Sequence, residues 1–139
     1  MSDHDNSATQ TVRRMFAAFA AADLDALIET VHPHSRWVYY GANPRPTKAE
    51  ITGRAGVRAF FEKILKRLEM SAFNTLEFVA QGNTVIVLGN ESGKVRATGQ
   101  PFHNEWAQKY VVEDGLIVEM AEWNVQIDQP DPRDQASAS

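Results

Sequence analysis

The chain has 139 residues, a formal net charge of −4 and no cysteine. This length allows one domain with a sizeable core and leaves no room for a second. Without cysteine there is no disulfide, thiolate metal site or cysteine nucleophile, and without a dense Lys/Arg cluster a nucleic-acid partner is not expected.

Both ends of the chain are polar and lack periodic apolar positions. Residues 1–6 and 129–139 are rich in Asp, Ser, Pro and Ala, a composition typical of disordered tails. The predicted domain therefore comprises residues 7–128. No apolar run is long enough to span a membrane and no signal peptide is recognisable, so we expect a cytoplasmic protein without a membrane partner.

Three helices are predicted in the first half of this domain. The first begins at Ser7, where the pattern Ser-x-x-Gln is a capping box. The second begins at Asp23, a favourable N-cap residue, and ends before Pro33. The third begins at Thr52 or Gly53 and has apolar residues at helical spacing.

The strand-like segments lie mostly after the helices. A proline-containing loop is predicted for residues 41–53. The predicted strands before the final hairpin are residues 35–40, 73–81, 84–90 and 94–98. This order predicts an α+β fold in which helices cover one face of a curved antiparallel sheet.

The last part of the domain is predicted to be a hairpin with Asp114 and Gly115 as its loop. That loop places Lys109 opposite Met120 and Ala107 opposite Glu122. One face then carries His103, Glu105, Ala107, Lys109, Val118, Met120, Glu122 and Asn124. The other face carries Phe102, Trp106, Tyr110, Val112, Ile117 and Trp123.

These two faces admit two interpretations. In the first, the polar face lines a pocket under the helices, and the aromatic face forms a homodimer interface through Trp106, Tyr110 and Trp123. The interface is expected because a monomer would expose these residues as a large apolar patch. In the second, the polar face meets solvent and the aromatic face is core. We adopt the first interpretation, because the predicted helices can roof the polar face.

Short motifs in both halves resemble one superfamily. The N-terminal half resembles ketosteroid isomerases at Val12–Phe19, Asp23–Asp25, Trp37–Gly41, Pro44 and Gly53. The C-terminal half resembles SnoaL-like polyketide cyclases at Leu88-Gly89, Gly93, Ala97–Gly99, Trp106-Ala107, Asp114–Ile117 and Glu122-Trp123. The resemblance implies the nuclear transport factor 2-like (NTF2-like) cone: a curved antiparallel or mixed sheet and three helices around a deep apolar pocket, commonly dimeric through the outer sheet face.

The residues that carry catalysis in ketosteroid isomerases are not present here. Those enzymes use an aspartate base together with a tyrosine and a protonated aspartic acid. The equivalent positions hold Tyr39, Met15 and Ala107. The resemblance therefore does not imply steroid isomerisation by that mechanism.

One acid matches a second relative of the same fold, limonene epoxide hydrolase. That enzyme has an aspartate on its last strand, where this chain has Glu122. Its second acid lies near the position of Glu91, but its arginine is replaced by Gly89.

Glu122 is the candidate general acid or base, because apolar walls would raise its pKa towards neutrality. Lys109 and Tyr39 are predicted to assist it; the alternative is a salt bridge between Glu122 and Lys109 that carries no chemistry. The predicted substrate-binding residues are Met15, Trp37, Phe60, Glu105, Ala107, Met120, Asn124 and His103.

These residues predict a cofactor-independent acid–base enzyme acting on a small apolar organic molecule. Polyketide-like, terpenoid and steroid-like substrates all fit, as do isomerase, cyclase and epoxide-hydrolase-like reactions. The alternative is a non-catalytic dimeric small-molecule-binding domain. We expect no cofactor and no metal site, since His32 and His34 lack a third ligand at a recognisable spacing.

Overall fold

The computed structural model describes residues 6–42 and 45–127. Its elements are α1 (Ser7–Ala20), α2 (Leu24–Glu29), β1 (Val31–Gly41), β2 (Thr47–Thr52), α3 (Gly53–Arg67), β3 (Leu68–Gln81), β4 (Thr84–Val95), β5 (Pro101–Glu113) and β6 (Leu116–Gln126). Pro44 and nearly all of the two predicted tails lie outside the described residues.

The strands form one mixed sheet in the order β2-β1-β6-β5-β4-β3. Strands β1 and β6 are parallel and every other neighbouring pair is antiparallel. The helices pack on one face, so the α+β class predicted from the element order is confirmed. The fully buried core includes Val12, Met15, Leu27, Trp37, Val57, Val85, Val87, Tyr110 and Ile117.

All three predicted helix starts are confirmed, since α1 begins at Ser7, α2 follows the Asp23 N-cap and α3 follows Thr52. The Asp23 carboxylate accepts a hydrogen bond from the first turn of α2, and Thr52 is the N-cap of α3. For α1 the predicted cap is wrong by one residue: Asn6 Oδ1 accepts the bond from the Thr9 amide at 2.8 Å. Asn6 fills the capping role because its short polar side chain reaches that free backbone donor.

The first half of the sheet is more extensive than predicted. Strand β1 begins at Val31, so α2 ends earlier than the Pro33 signal indicates. Strand β2 occupies residues predicted as loop, and pairs antiparallel with β1 so that Trp37 is opposite Ile51. The apolar Ile51 thereby packs against the core, which stabilises an otherwise polar edge strand.

Strand β4 is also longer than predicted, because its glycines are sites of close approach rather than turns. A Cβ atom at Gly89 would overlap the ring of Trp106 and the backbone oxygen of Asn74. A Cβ atom at Gly93 would overlap the backbone of Glu69. The predicted separate strand at residues 94–98 is therefore wrong: β4 continues through the glycines to Val95.

The Asp-Gly hairpin loop is confirmed. Asp114 and Gly115 both have positive φ, at 51° and 77°. These are the conformations that a two-residue hairpin loop requires. The first pairs after the loop, Glu113 with Leu116 and Val112 with Ile117, are also those that the loop predicts.

Beyond these pairs the predicted register is wrong. Val111 pairs with Glu119, so Val118 is an extra residue in β6 and forms a β-bulge. The bulge has a clear cause: Ile117 and Met120 are three residues apart, and regular alternation would place them on opposite faces. With the extra residue both are buried, at 0% and 2% exposure.

The bulge changes which residues share a face. Trp106 and Tyr110 are 4% and 1% exposed and belong to the core, so their prediction as interface residues is wrong. The helices cover this aromatic face because it holds the larger apolar area. Beyond the bulge, β6 turns Glu122 towards the same covered face, while Trp123 stays on the outer one.

The predicted pocket residues of β5 consequently lie on the outer face. These are His103, Glu105, Ala107 and Lys109. Lys109 is exposed and does not share a face with Glu122, so the predicted pairing of these two residues is wrong. In its place the inward residue opposite Glu122 is Gln108.

Candidate functional site

A small cavity lies between the helices and the covered face of the sheet. Its volume is about 80 Å³. Aromatic side chains form most of the wall, and the polar groups come from the sheet. The lining residues are Met15, Phe16, Phe19, Trp37, Tyr39, Phe60, Phe61, Ile64, Leu68, Met70, Phe73, Glu91, Gln108, Tyr110 and Glu122.

Glu122 is held by two amide donors. Gln108 Nε2 donates to Glu122 Oε1 at 2.6 Å, and Asn124 Nδ2 donates to Glu122 Oε2 at 3.2 Å. The Tyr110 hydroxyl donates to Gln108 Oε1 at 2.6 Å, which fixes the orientation of the Gln108 amide. The carboxylate thus has a defined position with acceptor capacity left towards the cavity.

The pKa of Glu122 is raised to about 7, mainly because burial disfavours the charged form. The hydrogen bonds from Gln108 and Asn124 lower the pKa of Glu122, with Gln108 having the larger effect. The charge of Glu91 raises it further. Near neutral pH both protonation states of Glu122 are therefore populated, as a residue that exchanges protons with a ligand requires.

Glu91 is a second carboxyl in the cavity wall. Burial raises its pKa, while a hydrogen bond from Asn104 Nδ2 to Glu91 Oε2 at 2.8 Å and the charge of His103 act in the opposite direction. In the sequence comparison with limonene epoxide hydrolase, Glu91 lies near the position of that enzyme's second catalytic acid. The arginine of that enzyme has no counterpart, because a side chain at Gly89 would overlap Trp106.

Tyr39 lies beside Glu122, on the neighbouring strand. Its ring stacks on Phe60 with the ring centres 4.2 Å apart. Burial, and then the charge of Glu122, raise the pKa of Tyr39 well above its usual value, so the phenol stays neutral and can donate a hydrogen bond. The hydroxyl makes no hydrogen bond to any residue that the structure describes.

The structure brings five of the predicted site residues together in the cavity wall: Met15, Trp37, Tyr39, Phe60 and Glu122. Met120 and Asn124 face inward but lie outside the wall, Met120 in the core and Asn124 against Glu122. His103, Glu105, Ala107 and Lys109 are on the outer face, where His103 Nδ1 lies 2.7 Å from Ser92 Oγ.

The polar residue that the sequence reasoning missed is Gln108. It interrupts the series Trp106, Tyr110 and Val112, whose members alternate along β5 and are buried. A single amide within such an apolar face is expected to have a buried polar partner. That signal could have identified Gln108 as a site residue. It could also have indicated the observed register of β5 and β6, in which Gln108 is opposite Glu122.

The described parts of the chain, residues 6–42 and 45–127, contain no group of three His, Cys, Asp or Glu side chains that could hold a metal ion. In the same residues no helix is long and apolar enough to cross a bilayer.

Comparisons with known proteins agree with this architecture. A family model described as a SnoaL-like domain matches residues 12–120. An NTF2-like protein from Burkholderia xenovorans is 26% identical, with a TM-score of 0.76 over 87% of this chain and 91% of that chain. A candidate isomerase from Bacillus subtilis is 20% identical, with a TM-score of 0.72 over 85% and 86% of the two chains.

A more distant neighbour is a Catenulispora acidiphila protein with a ketosteroid isomerase-like fold, solved in complex with trimethylamine. It is 16% identical, with a TM-score of 0.65 over 81% of this chain and 82% of that chain. No curated protein matches the chain significantly.

Proposed function

The chain belongs to the SnoaL-like domain family, and on that premise we propose that it is a cofactor-independent acid–base enzyme acting on a small organic molecule in the cavity. The observation that carries the proposal is the position of Glu122. Its carboxyl is buried in the aromatic wall, is oriented by Gln108 and Asn124, and has a pKa of about 7.

In this proposal Glu122 takes a proton from the ligand or gives one to it. A carboxyl with a pKa near the working pH combines the correct protonation state with a useful driving force for either transfer. Tyr39 is the second group: its neutral hydroxyl donates a hydrogen bond to an oxygen of the ligand that gains negative charge. Lys109 has no part in this chemistry because it is exposed on the other face.

The cavity volume narrows the range of substrates. An engineered apolar cavity of about 150 Å³ is known to bind benzene. At about 80 Å³ this cavity favours a compact molecule over one of steroid size. Isomerase, cyclase and hydrolase reactions all remain compatible with the residues. The likeness in fold to a candidate isomerase favours the first of these reactions.

The test starts from the ligand. Native mass spectrometry and fragment soaking identify molecules that occupy the cavity, and NMR follows their conversion. We expect Glu122→Gln to reduce turnover by about 100-fold, as loss of a general acid or base does. The matched control is Glu113→Gln, which changes an exposed acid beside the hairpin loop. Equal turnover by Glu122→Gln and the wild type would remove Glu122 from its proposed role.

The alternative function is a non-catalytic small-molecule-binding domain. The observation that favours it is the hydrogen bonding of both cavity acids by neighbouring amides, Glu122 by Gln108 and Glu91 by Asn104. A molecule that binds the wild type and is recovered unchanged, with no exchange of its protons for solvent deuterium, would support binding without catalysis.

We also propose that two copies pair through the outer face of the sheet. The residues that carry this proposal differ from those predicted, because Trp106 and Tyr110 are in the core. Trp123 stacks on Tyr40 with ring centres 5.5 Å apart and is 47% exposed. Leu88, 40% exposed, lies on the same outer face, so a second copy would cover an apolar surface.

A further inference from the structure

The charges in the cavity wall are all of one sign. Glu91 and Glu122 line the cavity, and none of the described residues in its wall is a lysine, arginine or histidine. The donors that hold the two carboxyls are the neutral amides of Asn104, Gln108 and Asn124. The buried carboxylates therefore have hydrogen-bond donors but no ion-pair partner in the wall.

The rest of the wall is suited to a cation. Eight aromatic residues border the cavity: Phe16, Phe19, Trp37, Tyr39, Phe60, Phe61, Phe73 and Tyr110. The faces of such rings attract an ammonium group electrostatically, most strongly where water is excluded. Aromatic walls combined with a carboxylate form the kind of site that binds amines in other proteins.

We propose that the ligand of this cavity carries a positively charged amine, which lies among the aromatic rings and forms an ion pair with Glu122. The inference rests on the proposed function, since it assumes that the cavity binds a small organic molecule. It adds the chemical class of that molecule: a compact amine with an apolar body.

Competing ligand classes fit less well. An anion would be repelled by Glu91 and Glu122 and would find no cation in the wall. A neutral molecule of the same shape would gain the apolar contacts but would leave the Glu122 carboxylate without a counter-charge. The amine gains both the apolar contacts and the ion pair with Glu122. Ligand charge should therefore be the main determinant of which molecules of this shape bind.

Binding should also depend on pH. The groups that face Glu122 are Glu91, Tyr39 and Tyr110, and both tyrosines stay neutral because burial raises their pKa values well above normal. His103 lies on the outer face, and its charge when protonated lowers the pKa of Glu91. An ammonium beside Glu122 lowers the pKa of this carboxyl, so its proton goes to solvent and binding strengthens from about pH 6 to about pH 8.

The experiment compares three compact probes of one shape: tert-butylammonium, tert-butanol and pivalate. Their dissociation constants are measured at about pH 8 by NMR titration of the cavity resonances of the full chain. We expect tert-butylammonium to bind about tenfold more tightly than tert-butanol, which corresponds to about 1.4 kcal/mol. Pivalate should not bind measurably.

Variants test whether the preference for tert-butylammonium over tert-butanol comes from the Glu122 carboxyl. Glu122→Gln should weaken tert-butylammonium binding about tenfold and leave tert-butanol within about twofold, as the lost ion pair requires. Glu113→Gln, an exposed acid beside the hairpin loop, should change neither. If Glu122→Gln does not fold, Glu91→Gln serves instead and should also reduce the preference for the amine.

The outcomes separate this inference from the proposed function. Equal binding of tert-butylammonium and tert-butanol, or an amine preference unchanged in the variants, would overturn the amine class while leaving a small-molecule site. Binding of none of the probes to the cavity would contradict both the amine class and the proposed function.

Discussion

The carboxyl of Glu122 should make the stability of the domain depend on pH. Below about pH 4.5 this group is protonated in the folded and the unfolded chain alike. Between about pH 4.5 and 7 the unfolded chain loses the proton while the folded chain keeps it, so the free energy of unfolding falls as the pH rises. Above about pH 7 the full cost of burying the charge is present.

This linkage gives a measurable difference between the wild type and Glu122→Gln. From about pH 5 to pH 8 the wild type should lose on the order of 3 kcal/mol of unfolding free energy relative to the variant, measured by urea unfolding. Glu91 contributes in the same direction and is present in both proteins. In the Glu113→Gln control the wild-type pH dependence should persist. A variant whose stability falls with pH as steeply as that of the wild type would contradict the raised pKa.

At the residue scale, the sequence contained enough to identify Glu122, Tyr39, Trp37 and Phe60 as cavity residues. Tyr39, Trp37 and Phe60 follow from inward positions on a strand and a helix whose faces were predicted correctly. Glu122 reaches the cavity because two errors cancel: the wrong face of the hairpin was predicted to be covered, and the bulge at Val118 was missed. Lys109 could not be placed correctly, because the helices cover the opposite, aromatic face of β5, and its separation from Glu122 also depends on a bulge nine residues further along the chain. A shift of one residue in the register moves every following side chain to the other face.

At the scale of elements, the β-bulge at Val118 determines the site. Burial of both Ile117 and Met120 requires one extra residue in β6, and that residue brings Glu122 to the helix side of the sheet. The Asp-Gly loop fixes only the first pairs of the hairpin. The later register depends on which apolar residues the helices cover, and this tertiary information is not contained in the turn sequence.

Gly89 in β4 should not tolerate a side chain. In Gly89→Ala the added methyl group would overlap the Trp106 ring and the backbone oxygen of Asn74, and overpacking of this kind costs about 1–3 kcal/mol or more. The measurement is the free energy of unfolding in urea.

The control for this substitution is Gly41→Ala, in β1. There the nearest atom to the added methyl group is Thr47 Oγ1 at 2.9 Å, the end of an exposed side chain that can rotate away. If Gly89→Ala were as stable as Gly41→Ala, the packing of Trp106 over β4 would be wrong.

At the scale of the whole molecule, the order of helices and strands was sufficient to predict the α+β class and the covered sheet. It was not sufficient to decide which face of the hairpin is covered. Both faces of β5 carry apolar residues, and the aromatic face is core because Trp106, Tyr110 and Val112 all lie on it.

The proposed pairing through the outer face predicts a dimer that depends on Trp123. In sedimentation experiments the wild type should have twice the 15.5 kDa mass of one chain. Trp123→Glu should produce monomers, because it places a charge in the centre of the apolar outer surface. Leu76→Glu is the control, since Leu76 is 65% exposed but lies on the edge strand β3. A wild type that sediments as a single chain would contradict the pairing.

The central claim is that a buried Glu122 exchanges its proton near neutral pH within the cavity. The most direct measurement is an NMR titration of the ¹³C-labelled carboxyl of Glu122 in the full chain, assigned by the loss of its signal in Glu122→Gln. We expect a midpoint at about pH 7. A midpoint near 4.5, the value of an unperturbed glutamate, would contradict the claim.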